Sequence, residues 1–388
     1  MSWTLENSIL LNMTFYFSNG SFGLNIYQEL DTDAKGLDRF VQTTGDYLIF
    51  VVSTPLSMFG CFANVVNLTV FLKQGRNDCV TICLFALGFS DFLCCFTVFL
   101  FSSLYISNVM NYFSIIEPVA LDVVLSYIAA MFYDISQGVT AFISLQRCLC
   151  VAMPLRFKDM FTVRRSVVIM LWFYVATTLA YTPHFRTCGI SVRLEATRNN
   201  TIPALWETSD RAESILWLNY LLHIGVDTIY QLVVVVSAIV MIRGLQKSAK
   251  FQSTKSTLAT TDFGSVHDNC LKLSQHTTSK NESKSSKPWQ TSNKNRNVVK
   301  TIFALSLLAI VCNTERLVVV YGQRFVPGLT FDGAYQIIFF LSARVTFLFS
   351  MINASLNVLV YYFLNPSYRK TFQELFCWRE QEASSAYK

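Results

Sequence analysis

The chain has 388 residues, of which 52% are hydrophobic and only 14% charged, and it carries 33 Phe and a formal net charge of +6. Soluble domains usually hold about 25% charged residues, so this composition excludes an ordinary soluble enzyme or binding domain. It also argues against a nucleic-acid binder. The Lys and Arg sit between apolar blocks, where membrane topology already demands them, and no zinc-finger or RRM-type motif accompanies them.

Seven apolar blocks run over 46–72, 79–103, 119–152, 165–183, 215–242, 298–321 and 335–363. Each matches the roughly 20 apolar residues that cross a bilayer as a helix. The ten-residue alternation of a membrane barrel is absent. The fold class expected is therefore an all-α membrane protein, a seven-transmembrane helix bundle. Segment 1–45 precedes it and is expected outside, and no cleavable signal peptide is evident there. The third block carries Asp122, Asp134 and Arg147, which predicts that it lies inside the bundle rather than against lipid.

Orientation follows from loop charge. Lys73, Arg76, Arg156, Lys158, Arg164 and Arg165 mark the predicted inner side, as do the basic segments 243–300 and 364–388. The sequons at Asn12, Asn19 and Asn199 then fall outside and are expected to carry glycans. Those at Asn67 and Asn353 fall within helices, and Asn281 falls inside. Segment 243–297 is rich in Ser, Thr, Lys and Asn and reads as a disordered inner loop. Its role is either a flexible connector or a phosphorylated regulatory segment. In 364–388, Phe372, Leu375 and Phe376 share a helical face away from Arg369 and Lys370, which predicts a short amphipathic helix on the membrane surface. Cys377 at its end is a palmitate candidate, with a plain thiol as the alternative.

Ionisable residues inside the predicted spans are the best pointers to a site. Asp134 precedes Arg147 by about 20 Å of helix, and Arg344 stands at a similar height before Asn357. His223 and Asp227 lie on the fifth span, with Glu315 and Arg316 on the sixth. Tyr133, Gln137, Tyr230 and Gln336 add donors and acceptors. These residues suit a two-signed cavity for an extracellular peptide or small polar ligand. They also suit mutual ion pairing, for instance of Asp134 with Arg344 or Arg316.

In order along the chain, Gly60-Cys-Phe-Ala-Asn64, Leu87-Gly-Phe-Ser-Asp91, Leu145-Gln146-Arg147-Cys148 with Pro154, Trp172, Cys312, and Asn353 with Asn357-Val-Leu-Val-Tyr361 resemble the motifs of rhodopsin-like G-protein-coupled receptors. Within that class the chain looks most like FMRFamide-type peptide receptors or gastropod chemosensory receptors. The resemblance implies a plasma-membrane receptor with a heterotrimeric G protein as partner, with membrane lipids around it and no nucleic acid. Gln146, Arg147 and Tyr361 would sit at the coupling face, where Lys294, Arg296 and Lys300 are further candidates. It implies no cofactor, except a possible sodium ion held by Asp91, Asn64, Asn353 and Asn357. Oxygen donors of that kind suit a hard cation, and an ion-free polar network is the alternative.

Four departures qualify the resemblance. The helix-three cysteine of the usual outer disulfide is replaced by Asp122. Cys188 is the only one of eleven cysteines on the predicted outside, so no outer disulfide and a mobile second outer loop are expected. Asp122 is free to pair with Arg186 or Arg193. Cys312-Asn-Thr-Glu315 lacks the helix-six proline, and Val358 replaces the helix-seven proline, so both helices should be straighter. Gln146 replaces an acid, so Arg147 should be restrained by a hydrogen bond rather than an ion pair. Raised basal activity would follow. A non-coupling seven-helix protein, or a transporter or channel, is the alternative function. Internal repeats and broken helices of transporters are absent, as are catalytic motifs of enzymes.

Overall fold

The computed structural model describes residues 32–75, 78–109, 118–195, 200–262, 288–329 and 334–376. In chain order the elements are α1 (Thr32–Gln74), α2 (Cys79–Val109), α3 (Pro118–Ala152), α4 (Pro154–Met160), α5 (Val163–Phe185), β1 (Cys188–Glu195), β2 (Asn200–Glu207), α6 (Arg211–Leu218), α7 (Asp227–Asp262), α8 (Pro288–Phe325), α9 (Gln336–Leu364) and α10 (Pro366–Phe376). A π-helical turn over Asn219–Val226 joins α6 to α7 as one long helix.

Seven stretches of these helices are long and apolar enough to cross a membrane: Val51–Gln74, Cys79–Leu104, Val124–Ala152, Val163–Phe185, Glu213–Gln246, Asn297–Phe325 and Ile337–Leu364. The third is the bundle's axis. Of its most apolar window 78% is buried inside the protein, against 22% for α5, as its Asp and Arg residues require. Outward faces are apolar instead. Phe62, Val168, Leu179 and Val318 are all exposed, which in water would be a liability and in lipid is the expected boundary. Trp172 also points outward, 67% exposed, and so plays no part in the bundle interior.

Local signals explain the helix ends. Gly75 closes α1 at a φ of 87°, the left-handed conformation that a C-terminal glycine adopts freely. Thr162 caps α5 by accepting from the Arg165 backbone nitrogen at 3.4 Å. The side-chain oxygen of Asn365 accepts from the backbone nitrogens of Ser367 and Tyr368 at 3.1 and 3.2 Å, with Pro366 at the first helical position, and so starts α10. This helix is amphipathic as expected. Tyr368 is buried against Phe71 and Tyr361, Phe372 packs edge-on against Tyr362, and Arg369 and Lys370 are exposed.

Close helix contact is built on small residues. A Cβ on Gly60 would come within 2.5 Å of both the Cys95 Sγ and the Ser355 Oγ, so α1, α2 and α9 meet only because this position has no side chain. Beneath it, Val70, Phe71, Leu87, Ile135, Val139 and Tyr361 form the inner core.

Two expectations need correction. The segment read as a disordered loop, 243–297, is helical through Asp262 and again from Pro288. Leu245, Gln246, Lys247, Ala249 and Lys250 are good helix formers, so the long helix continues past the membrane boundary. Residues 263–287 lie outside the described ones. The second outer loop, expected to be mobile, is an antiparallel hairpin with Cys188 opposite Glu207 and Glu195 opposite Asn200. Backbone bonds order it, while Cys188 remains a free thiol. We call the end that carries this hairpin the outer end. Without their prolines, α8 and α9 run unbroken through Cys312–Arg316 and Asn353–Tyr361.

Candidate functional site

The outer half of the bundle gathers charge from three spans. Asp134 on α3, His223 in the π-helical turn, Asp227 at the start of α7 and Arg316 on α8 are all buried. Arg316 Nη1 donates to Asp134 Oδ1 at 2.8 Å, and its Nη2 lies 3.2 Å from Asp227 Oδ2. The same Nη2 donates to His223 Nδ1. Tyr181 of α5 donates its hydroxyl to Asp134 Oδ2 at 2.6 Å. The guanidinium also stands over the Tyr133 ring, 5.5 Å from its centroid, a favourable placement for a cation. A lone charge at this depth costs several kcal/mol on insertion scales, and this clustering offsets much of that cost. The π-helical turn matters here. It sets His223 and Asp227, four residues apart, on the side of the fifth span that meets α8, and such turns recur at functional sites.

Below the cluster, Tyr133 donates to Asn313 Oδ1 at 2.6 Å, and Asn313 Nδ2 donates to Gln137 Oε1. Further in, the Ser144 and Ser306 hydroxyls share a hydrogen bond of 2.8 Å. Glu315 turns to α9 and accepts from Thr346 at 3.0 Å, and Arg344 is buried on α9. Tyr230 packs edge-on against Phe173, and the Gln336 side chain lies outside the described residues.

A second polar centre lies mid-membrane. Asp91 is fully buried, and each of its oxygens has one donor: Ser136 to Oδ1 at 2.6 Å and Asn357 to Oδ2 at 2.7 Å. Asn64 instead donates to the Ala354 and Gly60 carbonyls at 2.9 and 3.0 Å and accepts from Asn67. Tyr368 of α10 donates to Asn67 at 2.7 Å. Asn353 is buried on α9. A sodium ion needs hard oxygen ligands. The Asp91 carboxylate, the Ser136 hydroxyl and the Asn357 amide oxygen supply that donor type, so the residues fit it.

At the inner end of α3, the expected hydrogen bond from Gln146 to Arg147 is not formed. Gln146 is fully buried, and neither its Nε2 nor its Oε1 has a hydrogen-bond partner among the described residues. Arg147 turns away and lies 5.7 Å over the Phe157 ring of α4. With its guanidinium over Phe157, Arg147 leaves the Gln146 amide without a bond from it. Tyr361 is buried edge-on against Phe71 at 5.2 Å. Lys300 is exposed on α8.

At the outer rim, Cys188 lies 3.5 Å from His184 Nε2, and His184 stacks on Tyr127 at 3.7 Å. Burial pushes the Cys188 thiol up from its ordinary value, which disfavours the reactive thiolate. Arg186 is exposed, while the side chains of Asp122 and Arg193 lie outside the described residues. So do Asn12, Asn19, Asn199 and Cys377, and the side chains of Lys294 and Arg296.

Sequence reasoning found the charged members of the cluster and missed their neutral partners Tyr181, Asn313, Ser136, Asn67 and Tyr368. Asn313 was within reach of it. It sits in the Cys312–Glu315 stretch, which we read only for its missing proline.

The comparisons agree with this architecture. No curated protein matches the chain in sequence. Squid rhodopsin, known from its crystal structure, is similar at a TM-score of 0.56 and 15% identity, over 94% of this chain and 91% of that one. At that identity the likeness speaks for the fold, a rhodopsin-like seven-helix bundle that passes the membrane repeatedly. The family model of the serpentine type 7TM GPCR chemoreceptor Srx matches residues 54–263, from within α1 through the end of the fifth span. That is more than half of the chain, and it shows that this protein belongs to the Srx family of G-protein-coupled-receptor-type chemoreceptors.

Proposed function

We propose that this chemoreceptor sits in the plasma membrane with its N-terminus outside and is activated by a small polar ligand entering the cluster of Asp134, His223, Asp227 and Arg316. Glu315 and Arg344 are further candidates for ligand contact, and a heterotrimeric G protein meets the inner end of α3 at Gln146 and Arg147, near Tyr361. The observation that carries this reading is the buried ion cluster itself, which ties α3, the fifth span and α8 together at one depth. A cluster so closed favours a small ligand over a long peptide.

The mechanism is a shift of population. A ligand changes the receptor's state only by binding one arrangement of helices more tightly than the other. Ligand contact with Asp134, Asp227 or Arg316 competes with the interhelical ion pairs, so it acts directly on the packing of α8 against α3. Sodium, when bound, would supply a positive charge to Asp91. Asp91, Ser136 and Asn357 would hold it, and in its absence their mutual hydrogen bonds keep α2, α3 and α9 together.

The test is second-messenger output, calcium and cyclic AMP, in cells expressing the chain beside Arg147→Ala, with and without a panel of small polar compounds and peptides. An Arg147-dependent signal is expected. Its absence, with protein shown at the cell surface, favours a seven-helix protein that binds without coupling. Glycans at Asn12, Asn19 and Asn199 and palmitate at Cys377 belong to the same proposal. A gel shift on glycosidase treatment and hydroxylamine-labile labelling check them.

A further inference from the structure

The fifth span carries a second feature at its outer end, on the side turned away from the bundle. Glu213, Leu216, Trp217, Tyr220 and Leu221 line a groove of about 480 Å³ there. Their spacing puts them on one helical face. The π-helical turn that buries Leu222 and His223 leaves Tyr220 and Leu221 exposed, as is Trp217 one turn above. Such a face meets lipid. The end of α8 flanks it. Arg324, in the last turn of that helix, holds its guanidinium 5.8 Å over the Tyr220 ring. One turn back along α8, Tyr321 shares a 2.9 Å hydrogen bond with Thr228 of the fifth span, so the groove lies along the seam of the two helices.

Two exposed charges border this groove, Glu213 and Arg324, and they do so in a definite order. The fifth span enters the membrane at Glu213. Seven residues on, Tyr220 stands about 10 Å deeper at 1.5 Å per residue. From the surface inward the groove therefore offers a carboxylate, then an indole, then a guanidinium over a phenol ring, with the apolar Leu221 beside it. A phospholipid with a choline head offers the complement in the same order: a quaternary ammonium, a phosphate, then the acyl chains.

We infer that this groove binds one zwitterionic phospholipid of the surrounding bilayer, with its phosphate at Arg324 and its choline ammonium at Trp217 and Glu213. The planar fork of an arginine suits phosphate, and an aromatic face suits a quaternary ammonium. A lipid with a glycerol head satisfies Arg324 but brings no cation to Glu213. A cationic amphiphile has nothing for Arg324. An ordinary aromatic belt uses the same residue types at the interface, but it has no preference among head groups. The lipid site lies on the outside of the bundle, apart from the cluster of Asp134 and Arg316, and involves no coupling step.

The experiment uses the full chain in dodecyl maltoside micelles. The probe is diheptanoylphosphatidylcholine, kept below the concentration at which it forms its own micelles. Diheptanoylphosphatidylglycerol and decyltrimethylammonium are the controls that lack the cation and the phosphate. The thermal unfolding midpoint rises saturably with the choline lipid, and native mass spectrometry finds a single lipid retained. Both controls bind about 10-fold more weakly. Arg324→Gln loses about 10-fold in apparent affinity for the choline lipid, as for a hydrogen bond to a charged group, with its lipid-free midpoint unchanged. Arg324→Lys, which keeps the charge, falls between it and wild type. Glu213→Gln narrows the preference for the choline over the glycerol head. A rise that does not saturate, equal binding of both controls, or undiminished affinity in Arg324→Gln overturns the inference and leaves only an aromatic belt. Equal losses in the Gln and Lys variants overturn it as well, because the charge at Arg324 would then play no part.

Discussion

Arg316→Met is the sharpest probe of the outer cluster. It keeps the apolar stem and removes the guanidinium. Asp134 Oδ1 then loses its donor at 2.8 Å, and Asp227 loses its counter-ion at 3.2 Å. The paired side chains of Arg316 and Asp134 are 10% and 4% exposed, so solvent screens little of the change. Removing one partner of a buried ion pair costs about 3–5 kcal/mol. Loss of the contact with the Tyr133 ring adds about 0.5–2 kcal/mol. Asp134→Asn in the same background removes the stranded charge and should recover part of the loss. Interhelical hydrogen bonds in membranes average only about 0.6 kcal/mol in double-mutant cycles, because the unfolded chain in lipid finds partners too. An ion pair should exceed that, so the coupling energy between the two sites is expected at about 1–3 kcal/mol. Thermal unfolding of wild type, both singles and the double in one nanodisc preparation measures it. Singles whose effects simply add, or an Arg316→Met chain as stable as wild type, would show that the ion pair is not what holds these helices.

Other variants address the remaining centres. Asp91→Asn removes the carboxylate that Ser136 and Asn357 donate to, so any extra stability in sodium chloride over potassium chloride should vanish, as read by unfolding midpoints. Gly60→Val forces a Cβ to within 2.5 Å of Cys95 and Ser355. It should cost about 1–3 kcal/mol as overpacking does, with loss of surface expression as a second readout. Gln146→Glu places a carboxylate one residue from Arg147, in a spot where the amide makes no hydrogen bond. Ligand-free second-messenger output should fall. Ser306→Ala breaks the Ser144 contact, at about 1 kcal/mol for a neutral bond, and should raise the same output.

The spans were legible because lipid tolerates so little. Twenty apolar residues have one use, and an Asp or Arg among them must find a partner, so Asp134, Asp227 and Arg316 declared themselves. Partner choice was not legible. Arg316 and Arg344 stand at similar heights, and only helix rotation decides which one meets Asp134. Glu315 and Arg316 are neighbours in sequence, yet one faces α9 and the other faces α3. The π-helical turn over Asn219–Val226 shifts the phase of the fifth span, and no propensity rule announces it. The hairpin was hidden for another reason. Its strands carry Arg193, Glu195 and Pro203, so hydropathy alone read the segment as loop, while backbone pairing with Cys188 opposite Glu207 made it regular.

The contacts between α3 and α8 also say which end of α8 is free to move. Asp134 meets Arg316, Tyr133 and Gln137 meet Asn313, and Ser144 meets Ser306. As the residue number rises on one helix it falls on the other, so the helices run antiparallel in constant register over about 15 Å. The bonds weaken toward the inner end. The outermost is an ion pair worth about 3–5 kcal/mol to break on one side, and the innermost is a neutral hydroxyl pair worth about 1 kcal/mol. Three residues past Ser144, Arg147 lies over the Phe157 ring, and Gln146 makes no hydrogen bond among the described residues. An unbroken helix held firmly at one end and loosely at the other pivots about the firm end. The inner end of α8 can therefore swing from α3 without the proline hinge this chain lacks, giving up the hydroxyl contact and the apolar packing of Val299, Ile302 and Leu305 in the inner core. A ligand that competes for Asp134 or Asp227 acts on the fulcrum itself.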